Sequence, residues 1–297
     1  MGRETVMKKI ILNNGVEMPI VGLGSYKATN PEETKEAILY ALECGYRMID
    51  TAAYYRNEEL IGEAIRESGI PREEIFVTSK VWVDAIEKGK VRESFEASLK
   101  RLDIGYIDLF LLHWPVNREA NIKAWKVLEE IYKEGKVRAI GLSNYKEKHI
   151  NELLEEAEIK PALDQVELHP DFTQNEIYEF CKEKGIQLGA WSPLGGQKPN
   201  SGSLFKDPTL LKLAEKYGKS VAQIIIRWDV QRGIVVIPKS VHKERIKANI
   251  EVFDFELSGE DMELISSLNE NNRIDQDPDN FMNYWNSKPE EGKNYTV

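Results

Sequence analysis

Ile107-Asp108-Leu109-Phe110-Leu111-Leu112-His113 is an almost wholly apolar run that stops on a histidine. Three other stretches have the same form. Tyr46-Arg47-Met48-Ile49-Asp50 ends on a carboxylate, and Ile75-Phe76-Val77-Thr78-Ser79-Lys80 and Gly233-Ile234-Val235-Val236-Ile237-Pro238-Lys239 each end on an amine. Short β-rich runs that close on a titratable group, with helix-length stretches between them, predict parallel strands delivering side chains to one rim. In a (β/α)8 barrel that rim carries the chemistry.

Working outward, Val21 to Leu23 reads as the first barrel strand, and strands ending near Asp50, Ser79, Leu112, Leu142, Val166, Ala190 and Val236 bring the count to eight. The stretches between them have helical spacing, as in Ala124, Val127, Leu128 and Ile131. Asn30-Pro31-Glu32-Glu33 supplies an N-cap, a proline at N1 and acids in the first turn. The longest interval, from Ser192 to Lys239, leaves room for an extra helix, and Leu204 to Trp228 reads as two. It also contains Gly195 to Ser203, the most flexible-looking segment. Asn13-Asn14-Gly15 between Ile10-Ile11-Leu12 and Val16-Glu17-Met18 marks an N-terminal hairpin. A late helix capped by Ser258 ends near Leu268. The expected architecture is an α/β fold: one (β/α)8 TIM-barrel domain over residues 1–297, with the hairpin at its start and extra helices near its C-terminus. Residues 270–297 are expected as a C-terminal loop near the substrate site. Phe281, Met282, Tyr284 and Trp285 either fold over the pocket rim or pin the tail to the outer surface.

Composition narrows the function classes. The 297 residues are 41% hydrophobic and 30% charged, which suits a globular protein with a full core. No stretch has the apolar length of a transmembrane helix or the core of a signal peptide. A net charge of −10 argues against nucleic acid and anionic membranes as partners. Cys44 and Cys181 form no CxxC and read as reduced core residues, which implies a cytoplasmic location. The histidines, His113, His149, His169 and His242, lack metal-ligand spacing, so no metal is expected. His149 and His242 read as surface residues and His169 as structural. Positive charge concentrates locally in Lys239-Ser240-Val241-His242-Lys243-Glu244-Arg245-Ile246-Lys247, at a strand end and helix start, where a phosphorylated ligand would sit. Two tempting motifs fail. Gly22-Leu23-Gly24 lacks the third glycine of a dinucleotide fingerprint because Lys27 takes its place. Gly218-Lys219-Ser220 lacks the earlier glycine of a P-loop.

One constellation remains. Reducing a carbonyl needs a hydride at carbon and a proton at oxygen. A tyrosine, with an ordinary pKa of about 10, is a poor acid near neutrality unless an ammonium stabilises its phenolate. A buried ammonium in turn needs a carboxylate. Tyr55, Lys80 and Asp50 provide that set, and a neutral His113 would orient the carbonyl oxygen. The expectation is that Lys80 lowers the pKa of Tyr55. Asp50 could instead merely pair with Arg47.

These residues carry a resemblance to a known family. Asp50-Thr51-Ala52-Ala53-Tyr54-Tyr55-Arg56-Asn57-Glu58, Thr78-Ser79-Lys80-Val81-Trp82, Leu112-His113-Trp114-Pro115, Gly141-Leu142-Ser143-Asn144-Tyr145 and Ile237-Pro238-Lys239-Ser240 follow in order the signatures of the aldo-keto reductases, along nearly the whole chain. The bacterial members of the diketogulonate- and methylglyoxal-reductase type are the most similar in kind. The resemblance implies a barrel without a Rossmann fold, a catalytic set of Asp50, Tyr55, Lys80 and His113, and NADPH as reductant. It implies that Ser143, Asn144 and Gln165 hold the nicotinamide carboxamide. Trp191 would stack on the ring, with Ser192 and Leu194 beside it, and Lys239, Ser240, Arg245 and Asn249 would take the cofactor phosphate. Charge at Lys239 and Arg245 independently favours a 2′-phosphate over a free ribose hydroxyl.

Two departures from the pattern concern the pocket. Ser25 and Tyr26 stand where many relatives have Thr and Trp, and Trp191 stands where many have Tyr. The short stretch after Pro115 implies an open site, with Tyr26, Trp82 and Trp114 as its walls. The expected partner is a small carbonyl compound and the expected state a monomer. Competing readings are a Schiff-base lyase using Lys80 and a non-catalytic NADPH-binding sensor or regulatory subunit on the same barrel.

Overall fold

The computed structural model describes residues 8–196 and 204–288. Most of the Gly195–Ser203 segment, the chain start through Met7 and the tail beyond Lys288 lie outside the described residues. An antiparallel hairpin, β1 (Lys9–Ile11) and β2 (Glu17–Pro19), comes first. Eight parallel strands follow: β3 (Leu23–Gly24), β4 (Met48–Asp50), β5 (Phe76–Val81), β6 (Ile107–Leu112), β7 (Val137–Ser143), β8 (Leu163–Glu167), β9 (Gln187–Trp191) and β10 (Val235–Ile237). Each pairs with its sequence neighbour. The ring is completed by bridges from Val21 to Val236 and from Gly24 to Lys239.

Helices α1 (Pro31–Glu43) and α2 (Glu58–Glu67) follow the first two barrel strands, and α3 (Val83–Glu87) and α4 (Val91–Leu102) the third. Then come α5 (Arg118–Lys133), α6 (Glu147–Leu154) and α7 (Asn175–Lys184). Next are α8 (Pro208–Tyr217) and α9 (Val221–Gln231) in the long interval, then α10 (Lys243–Ile250), α11 (Gly259–Ser266) and α12 (Phe281–Asn286). The cap of α1 is as the sequence reads, with the Asn30 side chain accepting from the Glu33 N–H at 3.0 Å. Several strands run a residue or two past their expected ends, and the first begins later, at Leu23.

Side chains alternate across each strand, so inward positions recur at every second residue. Met48, Phe76, Leu109, Leu111, Leu163, Val235 and Ile237 fill the lumen as one apolar cluster. Leu12 and Met18 of the hairpin join that cluster and close the barrel floor. Asn13 Nδ2 fixes the hairpin by donating to the carbonyls of Pro161 and Gly185, at 2.8 and 3.1 Å. Continuing the same parity upward brings Asp50, Lys80, His113, Ser143, Gln165 and Lys239 to the C-terminal rim.

The Gly22-Leu23-Gly24 pattern has a packing explanation. A Cβ on Gly22 would fall 2.3 Å from Met48 Cε, and one on Gly24 would fall 2.9 Å from the Ile237 carbonyl oxygen. The barrel seam requires Gly24, and the Met48 side chain on the neighbouring strand fills the space beside Gly22; neither glycine serves a dinucleotide turn. Gly62 is a tighter case, because a Cβ there would lie 1.8 Å from the backbone oxygen of Leu102, where α2 meets the end of α4. Gly62→Ala should therefore cost about 1–3 kcal/mol or more through overpacking. Urea unfolding measures this, and an unchanged midpoint would contradict the close approach.

Cys181 is buried, whereas Cys44 is partly exposed, contrary to its reading as a core residue; neither is in a disulfide. Among the described residues, no helix is long and apolar enough to cross a membrane.

Candidate active site

Three elements bring the reactive groups together. The Lys80 amine, wholly buried near the end of β5, lies 2.6 Å from Asp50 Oδ1 at the end of β4 and donates to the Thr51 carbonyl at 2.9 Å. Asp50 therefore pairs with Lys80, while Arg47 reaches Glu74 at 3.8 Å. The second Asp50 oxygen accepts from Gln165 Nε2 at 2.8 Å, which ties β4 to β8 across the mouth.

After Asp50 the chain makes one 3-10 turn, Ala53–Tyr55, and then places Arg56 in the left-handed region at φ 55°. Asn57 holds this turn in place. It accepts from Thr51 Oγ1 at 2.7 Å and donates to the carbonyls of Ser25 and Ala28 at 2.9 and 3.1 Å. The two adjacent tyrosines then go different ways. Tyr54 stacks on Trp82 with ring centres 3.9 Å apart. Lys80 Nζ stands 5.1 Å from the centre of the Tyr55 ring, and the Tyr55 ring is 5.7 Å from that of His113. This packing separates Tyr55 from Tyr54, which the sequence could not do without the family pattern.

Burial and charge set the protonation states. Burial pushes the His113 imidazole well below its usual pKa, and the Lys80 charge pushes in the same direction, so His113 is neutral at pH 7. Burial also lowers Lys80, against the opposing pull of Asp50. Tyr55 moves opposite to expectation. Burial, and then the Asp50 charge, push its phenol well above the usual value. The physical reason is first that burial disfavours the phenolate, and second that the negative charge of Asp50, itself paired with Lys80, opposes a further negative charge on the ring. At neutral pH the phenol is thus fully protonated.

The residues expected from the sequence to hold a cofactor fall into two groups. Ser143, Asn144, Gln165 and Trp191 form one network. Ser143 Oγ donates to the Gln165 carbonyl at 2.9 Å, Asn144 Nδ2 to the His113 carbonyl at 3.0 Å, and Trp191 Nε1 to Asn144 Oδ1 at 2.8 Å. Asn144 and Ser192 both adopt positive φ, at 66° and 48°, where the chain turns off β7 and β9. Leu194 follows, partly buried.

Lys239, Ser240, Arg245 and Asn249 lie apart from that network, at the end of β10 and on α10. Lys239 is partly buried, which lowers its pKa; Lys27 nearby lowers it further and Glu33 opposes this. Ser240 Oγ accepts from the His242 N–H at 3.1 Å and shapes the turn into α10. Arg245 is exposed on the first turn of that helix, and Asn249 is buried in its last. A row of buried polar groups beside His113, followed by a half-buried ammonium and an arginine at a helix start, fits an elongated anionic dinucleotide.

The pocket walls are more aromatic than expected. Tyr26, 45% exposed, lies 5.1 Å from the Tyr55 ring, while Trp82 and Trp114 are buried. The C-terminal segment folds over the rim. Phe281 stacks on Trp114 with centres 4.1 Å apart, and Trp285 lies 5.2 Å from Trp82. The segment is partly helical, as α12, where a loop was expected. Phe281 and Trp285 thus follow the first of the two readings of the tail, over the rim, while Tyr54, stacked on Trp82, is a wall residue that the sequence did not single out as such. His149 also departs from its surface reading, with its Nε2 3.1 Å from Asp279 and its side chain largely covered. His242 is exposed, and His169 is fully buried with its Nε2 3.1 Å from Glu167. No three His, Cys, Asp or Glu side chains among the described residues cluster as metal ligands would.

Comparison with known proteins bears on this geometry. The family model "Aldo/keto reductase family" matches residues 20–270. The chain is 50% identical to the glyoxal reductase of Bacillus subtilis (strain 168), over 91% of this chain and 96% of that protein. It is 48% identical to the 9,11-endoperoxide prostaglandin H2 reductase of Trypanosoma cruzi (strain CL Brener), over 92% and 95%. Among solved structures, MGS-M4, an aldo-keto reductase from a Medee basin deep-sea metagenome library, superposes with a TM-score of 0.88 at 44% identity, covering 91% of this chain and 98% of that one. The chain belongs to the aldo/keto reductase family and is an oxidoreductase that reduces carbonyl groups with a nicotinamide cofactor.

Proposed function

We propose that the enzyme reduces small aldehydes and ketones with NADPH, that Tyr55 donates the proton, and that Lys80, Asp50 and His113 assist it. The observation that carries the reading is the Lys80–Asp50 ion pair, 2.6 Å long and buried, with its amine beside the Tyr55 ring and His113 next to that ring. The bound cofactor supplies a hydride to the carbonyl carbon. Everything else is done by the chain. Neutral His113 donates a hydrogen bond to the carbonyl oxygen and fixes its direction. The Tyr55 hydroxyl donates its proton to that oxygen as negative charge develops there. An alkoxide is far more basic than a phenolate, so this transfer runs downhill even from a phenol whose pKa is raised. Lys80 then stabilises the phenolate left behind, and Asp50 keeps Lys80 charged in its buried place.

Charge supports NADPH over NADH. A 2′-phosphate would meet Lys239 and Arg245, with the positive end of α10 behind them. Lys239→Ala and Arg245→Ala should each raise the Kd for NADPH by roughly 10–100-fold, the value of a charge-assisted hydrogen bond, and change that for NADH by less than about threefold. Cofactor titration followed by tryptophan fluorescence measures both; equal losses for the two cofactors would remove the phosphate assignment. Ser143, Asn144, Gln165, Trp191, Ser192 and Leu194 would hold the nicotinamide end, and Ser240 and Asn249 the phosphate end.

Between about pH 6 and 8, neither a phenol above its usual value nor a depressed imidazole changes protonation, so kcat/KM should be flat there. A limb inside that window would show that one of the two titrates within it. A net charge of −10 supports a cytoplasmic monomer acting on small molecules rather than on nucleic acid or anionic membranes. Gel filtration tests the monomer.

A further inference from the structure

Glu167 ends β8 on the same inward parity as Gln165, yet its carboxylate bonds to the C-terminal tail and to His169. It is fully buried. Its Oε1 accepts from the Ile274 N–H at 2.5 Å and lies 3.1 Å from His169 Nε2, while its Oε2 accepts from the Asp275 N–H at 3.0 Å. Burial alone would raise the pKa of this acid, but those donors outweigh it and hold the group below the usual range, so it is anionic. The loop after β8 continues the seat. The Asp171 carbonyl accepts from the N–H groups of Glu270 and Asn272 at 3.1 and 3.0 Å.

A few residues further along the tail, Lys146, just before α6, donates to both Asp277 oxygens at 2.7 and 2.8 Å and to Asp279 at 2.6 Å. Next in the chain come Phe281 and Trp285, the aromatic wall over Trp114 and Trp82.

We propose that Glu167 and Lys146 are positioning residues: a buried carboxylate on the barrel strand and an amine at the next helix seat residues 274–279, and so set where Phe281 and Trp285 stand over the substrate. They touch no reacting atom and act through the tail. The inference rests on the carbonyl-reductase reading only for its consequence, which is selectivity for carbonyl compounds carrying a ring. A ring on the substrate needs the aromatic wall, and a methyl group does not.

Glu167→Gln keeps the side-chain volume but turns an N–H donor toward the tail amides, one of which then loses its acceptor. In the full-length variant, hydrogen–deuterium exchange should accelerate over 272–286 and stay unchanged in the barrel strands. KM for phenylglyoxal should rise roughly tenfold, the scale of losing one or two aromatic contacts, with kcat and the methylglyoxal constants changed less than about twofold. In a Phe281→Ala/Trp285→Ala background, Glu167→Gln should add nothing to the phenylglyoxal KM, since it acts through those rings.

Unchanged tail exchange, an equal fall in kcat for both substrates, or additive losses in the doubly substituted background would each overturn the proposal. Lys146→Ala, at a half-exposed site that folding tolerates, provides the second test and should show the same selective signature. Unchanged exchange there would remove Lys146 from the seat. If the wild type reduced neither glyoxal, the functional reading would fall, and the exchange data would still decide whether Glu167 seats the tail.

Discussion

Tyr55→Phe will lower kcat for carbonyl reduction by about 10²–10⁴, the usual contribution of a positioned acid, and leave NADPH binding within about twofold. The substitution removes one hydroxyl and keeps the ring, so packing against Tyr26 and His113 survives. Without that hydroxyl, the group beside the ion pair cannot supply a proton, and the neutral His113 would have to do so. Burial and the Lys80 charge both disfavour the cationic form of His113, so it is a poor substitute at neutral pH. Tyr54→Phe is the matched control. Tyr54 stacks on Trp82, and its substitution should lower kcat less than about threefold, on the scale of a perturbed aromatic contact. Steady-state kinetics with methylglyoxal separates the two, and equal effects would assign the proton wrongly.

Lys80→Met should damage both activity and folding. Lys80 is wholly buried, and removing it leaves Asp50 without its ion-pair partner, with only the Gln165 amide bonded to its other oxygen. Breaking a buried pair from one side costs about 3–5 kcal/mol. The activity loss has a separate cause, since the phenolate of Tyr55 would form with no cation beside it. The double substitution Lys80→Met/Asp50→Asn distinguishes these effects. It removes the orphaned charge, so urea unfolding should recover most of the lost stability, while kcat stays about 10² or more below wild type. Recovery of activity together with stability would show that the pair serves only the fold.

The rim was legible because strand alternation is rigid. Once Met48, Phe76 and Leu109 are lumen residues, Asp50, Lys80 and His113 must follow them upward on the same face. Two kinds of feature were not legible. The first depends on contacts distant in sequence. For Phe281 and Trp285 the sequence left two placements open, over the rim or on the outer surface, and only the fold, which brings Trp114 and Trp82 beneath them, decides. Glu167 obeyed the parity rule, yet nothing local indicated that its partners are backbone amides in the tail. The second kind is a balance of opposing fields. Sequence names the ammonium near Tyr55, but the direction of the phenol's pKa depends on how deeply the ring is buried and on the Asp50 charge that opposes a phenolate. Gly22 and Gly24 show the converse case, a ligand-like motif already set aside from the sequence, where packing against Met48 and against the Ile237 backbone at the barrel seam explains the glycines.

The phenol of Tyr55 is, on this mechanism, where the proton comes from, at the point where the cofactor would present its hydride. A crystal structure with bound dinucleotide tests it most directly. The nicotinamide should lie on Trp191 with its carboxamide at Ser143, Asn144 and Gln165, and its reactive carbon should face a space lined by the Tyr55 hydroxyl and His113. A nicotinamide bound elsewhere on the barrel, or one turned so that Tyr55 and His113 lie behind it, would contradict the account.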